Sequence, residues 1–144
     1  MHKIIINTCY GGFEYSPLAV SEIYKRKNPG EETFFYKELN YDWDSHKSQL
    51  IKSNPENADY VFSKDFGEKC EVPLWNQDYH ILDIFDRHDP DCVAIVEKLG
   101  DKANGEFAKL EVVQIEDDKY IIHEYDGWEW IETPSSPKEW IHIE

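Results

Sequence analysis

Three groups of residues in this sequence have types and spacings that could do chemistry. In the first, Tyr10-Gly11-Gly12 follows an apolar run and precedes Ser16-Pro17. Backbone N–H groups of a glycine turn, joined by those at a helix start, can hold an anion, with the Ser16 hydroxyl as a further donor. The segment lacks phosphate-loop spacing, and no Lys-Ser/Thr pair follows. The plainer reading is a corner whose glycines supply positive φ.

The second group is "DIFDRHDPD", where Asp83, Asp86, His88, Asp89 and Asp91 crowd around Arg87. Carboxylates at such density could take a hard cation, but calcium-loop spacing is absent, and helix capping accounts for Asp89 and Asp91. No metal or cofactor is expected. Arg87 reads in two ways. It pairs with Asp86 or Asp83, or it offers a bidentate guanidinium to a carboxylate or phosphate.

The third group is "KYIIHEYDGWEWIE". Asp126-Gly127 is a type I′ turn signal between two β-rich runs. Pairing about it sets Tyr125 opposite Trp128 and His123 opposite Trp130 on one face. The other face sets Ile122 against Ile131 and Glu124 against Glu129. Facing carboxylates repel, so this pair is expected to point to solvent or to meet a cation. The aromatic face is either core or a stacking platform for a ring or a partner's side chain.

The elements that must position these groups are partly legible. Lys3 to Cys9 reads as a buried strand with three consecutive isoleucines. Ser16 and Pro17 read as N-cap and first residue of a helix that stops at Asn28-Pro29-Gly30. Asp89 and Pro90 open a second helix with an apolar stripe of Cys92, Ile95, Val96 and Leu99, ended by Gly100. "FAKLEVVQI" reads as a strand. From Glu31 to Gln77 the pattern blurs: "TFFYKELNY" could be a strand, and the rest is polar and loop-like, with room for one helical turn. The expected fold is a single α+β domain over residues 1–144. It has an antiparallel or mixed sheet, two helices and a long irregular middle segment.

Charge excludes several functions. Fifteen Lys and Arg against 30 Asp and Glu leave a net charge of −15 over 144 residues. No basic footprint for DNA or RNA is visible, and an anionic membrane surface would repel the chain. A basic partner is favoured instead, or the charge serves solubility alone. Three cysteines with no C-x-x-C argue against a disulfide framework and for a reducing, cytoplasmic setting. The opening apolar run is too short for a signal-peptide core. Cys9 has no basic sequence neighbour to lower its pKa, and His80, His88 or His123 would have to serve as base.

"INTCYGGFEYS", "DRHDPDCVAIVEKLGDKANG" and "EYDGWEWIE" together resemble segments of small uncharacterised proteins from phages, large DNA viruses and some bacteria. There a strand, a Cys-Tyr-Gly-Gly-Phe turn, an Asp-Asp-Pro-capped helix and a Tyr-Asp-Gly hairpin occur in this order. Position 88 is His where the group has an acid, and the middle third lies outside the likeness. The resemblance implies a viral or phage context and carries no assigned activity.

A non-catalytic binding protein acting on a host factor with a basic surface is therefore the expected function. Tyr10, Gly11, Gly12, Ser16, Arg87, Tyr125, Trp128 and Trp130 are its candidate contact residues. The alternatives are a binder of a small anionic, nucleotide-like ligand through the same residues, and a small hydrolytic enzyme. A concave pocket lined by Tyr10, Arg87 and Trp128 or Trp130 would mark the ligand binder. An exposed apolar or acidic patch without such a pocket would mark the interaction protein.

Overall fold

The computed structural model describes residues 1–73 and 80–135, and all that follows concerns these. Strand β1 (His2–Asn7) carries the isoleucine run, and Ile4 and Ile5 are fully buried. It pairs antiparallel with β6 (Leu110–Ile115), with Ile5 opposite Val112. On its other edge the Ile5 N–H donates to the Arg87 carbonyl at 2.8 Å.

Helix α1 (Pro17–Lys27) starts as its sequence dictates: Ser16 Oγ accepts from Ala19 N–H, and Pro17, which has no N–H to leave unpaired, takes the first turn. Helix α2 (Pro90–Leu99) repeats the device with Asp89, and Gly100 at φ 59° ends it. The helices pack on each other and α2 lies against β1 and β6. Ala19, Ile23, Cys92, Ile95 and Val96 join Ile5 in the main core. Burying each large aliphatic side chain contributes about 1.5–3 kcal/mol. Arg26 and Lys27 reach from the end of α1 to Asp91, Arg26 at 2.8 Å, and Lys27 also pairs with Asp89.

The fold is α+β with antiparallel sheets, as expected. The middle segment is where the structure corrects the reading. The possible strand in "TFFYKELNY" is β2 (Phe34–Asp42), and residues expected to be irregular add β3 (Lys47–Lys52), β4 (Tyr60–Phe62) and β5 (Lys69–Val72) to it in a four-stranded antiparallel sheet of order β4-β2-β3-β5. Two features hide its alternation in the sequence. The β2–β3 register shifts between Glu38 and Asn40, which leaves Leu39 exposed. Ser48 fills an inward position in β3, where its hydroxyl donates to Glu38 Oε2 at 2.9 Å. The expected helical turn is a short 3₁₀ segment, Pro55–Asn57, capped by Asn54. Tyr36, Leu50, Phe62 and Val72 form this sheet's own core, and Val61 inserts into the helical core. The Tyr36 hydroxyl donates to the Gly67 carbonyl at 2.8 Å and accepts from Phe66 N–H at 2.9 Å.

The last two strands, β7 (Ile121–Tyr125) and β8 (Trp128–Glu132), form a separate hairpin whose second strand packs on β1. Among the described residues, no helix is long and apolar enough to cross a membrane.

Candidate binding face

The β7–β8 hairpin has the register its sequence predicts, with Tyr125 opposite Trp128, His123 opposite Trp130, and Glu124 opposite Glu129. Its turn residues Asp126 and Gly127 lie at φ 50° and 89°, as a type I′ turn requires. The two glutamates then part company. Glu124 stays exposed and accepts the Gly127 N–H at 2.8 Å. Glu129 points into the body and is 6% exposed.

Glu129 meets a cation there, and the cation is Arg87. The guanidinium donates Nη1 to Oε1 at 2.5 Å and Nη2 to Oε2 at 2.7 Å, a bidentate pair. Neither Asp86 nor Asp83, the partners its sequence neighbourhood offers, takes that role. Asp86 caps the His88 and Asp89 N–H groups. The guanidinium also lies over the Phe13 ring, 3.9 Å from its centroid. Glu129 Oε1 further accepts the Asn7 N–H at 2.8 Å.

Asn7, fully buried at the end of β1, completes the clamp. Its amide donates to the carbonyls of Gly127 at 2.7 Å and Cys9 at 3.0 Å, and its oxygen accepts the Lys109 N–H at 2.8 Å. One side chain thus joins β1, the hairpin turn and the approach to β6. Asn7 and Glu129 were not among the expected site residues. The repelling Glu124–Glu129 pair was the signal that one of them needed a cation.

The glycine turn belongs to the same construction. Neither Gly11 nor Gly12 has positive φ, which corrects the expectation of a left-handed corner. Gly11 is needed for close approach: a Cβ there would lie 1.9 Å from the Phe107 carbonyl oxygen. A Cβ on Gly127 would lie 2.4 Å from the Gly11 carbonyl oxygen, so the hairpin turn sits directly on this backbone. Nothing crowds Gly12, whose N–H donates to the Phe107 carbonyl at 3.3 Å. Ser16 is buried and spent on capping; its hydroxyl donates to the Lys102 carbonyl at 2.6 Å. The close approach made by these residues is to the protein's own backbone.

The aromatic residues face the other way. Tyr10 is 67% exposed, Tyr125 71%, Trp128 42% and Trp130 50%, so this face is surface and not core. The rings support one another: Tyr10 and Trp128 lie 5.2 Å apart in a tilted pair, and His123 stacks on Trp130 at 5.5 Å. Phe107, beside Gly11, is exposed as well. Of the expected contact residues, Tyr10, Tyr125, Trp128 and Trp130 come together on one outer surface. Arg87 is spent on Glu129, Gly11 seats the hairpin turn, and Ser16 caps α1.

Among the described residues, no histidine is hydrogen-bonded to a cysteine. Burial, with Asp89 nearby, pushes the Cys92 thiol up to about 12, and burial raises that of Cys70. Cys9 Sγ lies 3.4 Å from Asn7 Oδ1 and 3.2 Å from the Phe107 carbonyl. His88 bonds Tyr120 and His123 pairs with Glu132, so neither is hydrogen-bonded to Cys9.

Comparison of the chain with protein-family models, with curated proteins and with solved structures found no match.

Proposed function

We propose that this protein is a non-catalytic binding protein whose β7–β8 aromatic face docks onto a basic protein surface. The observation that carries this reading is the arrangement of the hairpin: three exposed rings outward, with Tyr10 against Trp128, held by the Arg87–Glu129–Asn7 clamp inward. Exposed aromatic clusters of this kind supply anchor residues at interfaces. Beside them stand Asp126 at the turn and Glu132 on β8, within a chain of net charge −15. Ring faces flanked by carboxylates suit Lys and Arg side chains, through cation–π contact and ion pairing. Among the described residues, the cavities beside Ile4 and Val93, beside Leu82 and Asp89, and beside Ser16 and Tyr60 are not lined by Tyr10, Arg87, Trp128 or Trp130, which favours a surface partner over a small anion here. The likeness to phage and large-virus proteins makes a host factor in the cytoplasm the fitting partner.

The reading is tested by titrating a Lys/Arg-rich peptide and an acidic peptide of equal length, by calorimetry at low and physiological salt. The basic peptide should bind and weaken as salt rises, because exposed charges are screened beyond about 8 Å at physiological ionic strength. Equal binding of both peptides, or binding that salt does not weaken, would contradict it.

A further inference from the structure

A cavity of about 450 Å³ opens away from the hairpin's aromatic face, between β1, the start of α2 and the β6–β7 connection. Its size falls within the roughly 300–1,000 Å³ usual for small-molecule sites. Ile4, Pro90, Val93, Ala94 and Ile115 supply apolar lining. Within the polar part, His88 Nδ1 and the Tyr120 hydroxyl form a hydrogen-bonded pair 2.6 Å apart, with the rings edge to face. An apolar floor with a few converging polar atoms is the composition of a ligand pocket rather than of a solvent dent.

The pair offers a hydrogen-bond acceptor in either tautomer. If Tyr120 donates to Nδ1, the phenol oxygen keeps its lone pairs for a ligand. If Nδ1–H donates to the phenol, His88 Nε2 is the acceptor, and it has no partner among the described residues. The charge at the cavity selects the ligand's sign. Three carboxylates line it, Glu97, Asp117 and Asp118, and they outnumber the cations, Lys3 and the Met1 amino group, with His2 also in the lining. Lys3 is already paired with Glu97 at 3.1 Å, and Asp117 is held by the Ser135 hydroxyl and N–H. Asp118 alone has no hydrogen-bond or ion-pair partner among the described residues.

We propose that this cavity binds a small amphipathic amine, its apolar body on Val93, Ala94 and Ile115 and its ammonium between Asp118 and the His88–Tyr120 pair. An organic anion of the same shape would meet Asp118 unpaired and be rejected. The site is independent of the aromatic face, and either can fail without the other.

Phenethylamine, phenethyl alcohol and 3-phenylpropionate serve as probes of one shape and three charges, each followed by heteronuclear NMR titration. The amine should bind in the high-micromolar to millimolar range, at least about tenfold tighter than the carboxylate. Its shifts should centre on Ala94, His88 and Tyr120, with the alcohol in between. Ala94→Trp should fill the cavity and abolish the shifts while leaving basic-peptide binding at the hairpin intact. Tyr120→Phe, which keeps the ring, and Asp118→Asn should each weaken the amine at least threefold. Absence of binding at tens of millimolar, equal affinity for amine and carboxylate, shifts centred on Trp128 and Trp130, or undiminished amine affinity in folded Asp118→Asn would each overturn the proposal.

Discussion

The β2–β3 and β7–β8 hairpins both carry exposed rings near their turns, and they are anchored by opposite means. At the β2–β3 tip Tyr41 packs edge-on against Trp43 at 4.7 Å, and Trp43 is 78% exposed. The turn is shaped locally, with Asp42 Oδ1 accepting the Asp44 N–H at 2.9 Å. Its strands are held by neighbours on both sides and by the apolar core of Tyr36, Leu50, Phe62 and Val72. Among the described residues the β7–β8 hairpin has no third strand. It is fastened by a buried carboxylate, a guanidinium and an amide, and by glycine on glycine. A two-stranded hairpin alone is marginal in water, so this clamp is what keeps it in place. Apolar contact is tolerant of small rotations; a bidentate pair with an added N–H bond is not. The outer face of β7–β8 is therefore held in one orientation, whereas the β2–β3 tip is an exposed end of a sheet.

Breaking the clamp should have the largest effect. Arg87→Ala leaves Glu129 buried without its cation and should cost about 3–5 kcal/mol, read by chemical denaturation. Replacing both partners with apolar residues should recover much of that stability while loosening the hairpin, visible as faster amide exchange in β7 and β8. Leu50→Ala probes the other anchor and should cost about 2–5 kcal/mol with no change in β7–β8 exchange. Gly127→Val forces a branched residue to φ 89° against the Gly11 backbone. At least about 1–3 kcal/mol should be lost. Wild-type melting would mean that the turn is not seated on Gly11.

Smaller still is Asp89→Ala, the loss of an N-cap, at about 1 kcal/mol. This residue also has a pH signature. The hydrogen bond from Lys27, above all, holds the Asp89 carboxyl below the usual carboxylate range. A folded pKa below the unfolded one means that the native state prefers the ionised form. Its stabilisation is therefore present above about pH 4 and is lost as pH falls through the lower folded value. Urea denaturation from pH 6 down to pH 2 should show a shallower acid loss in Asp89→Ala than in wild type.

Much of the frame was legible because it is written locally. Both helix starts followed from Ser16-Pro17 and Asp89-Pro90, and the hairpin register followed from Asp126-Gly127, since two turn residues fix every pair beyond them. Of the middle sheet only β2 was legible, as a possible strand, because a register shift near Leu39 and an inward Ser48 break the alternation that marks a strand. The partner of Arg87 was hidden for another reason. Local sequence crowds it with aspartates, yet its carboxylate arrives from 42 residues along the chain. Only the three-dimensional path of the hairpin decides between them. The same holds for the glycines: their type was visible, but the Phe107 carbonyl that excludes a Cβ at Gly11 was not.

We propose that the clamped aromatic face is the binding surface and that the β2–β3 tip is not. Calorimetric titration of the Lys/Arg-rich peptide into the Tyr125→Ala/Trp128→Ala variant, with Trp43→Ala as the matched control, tests it most directly. Both changes fall on exposed side chains, so both proteins should remain folded. The double variant should lose at least tenfold in affinity, roughly 1.4 kcal/mol or more, while Trp43→Ala binds like wild type. Undiminished affinity in the double variant, or an equal loss in Trp43→Ala, would contradict the claim.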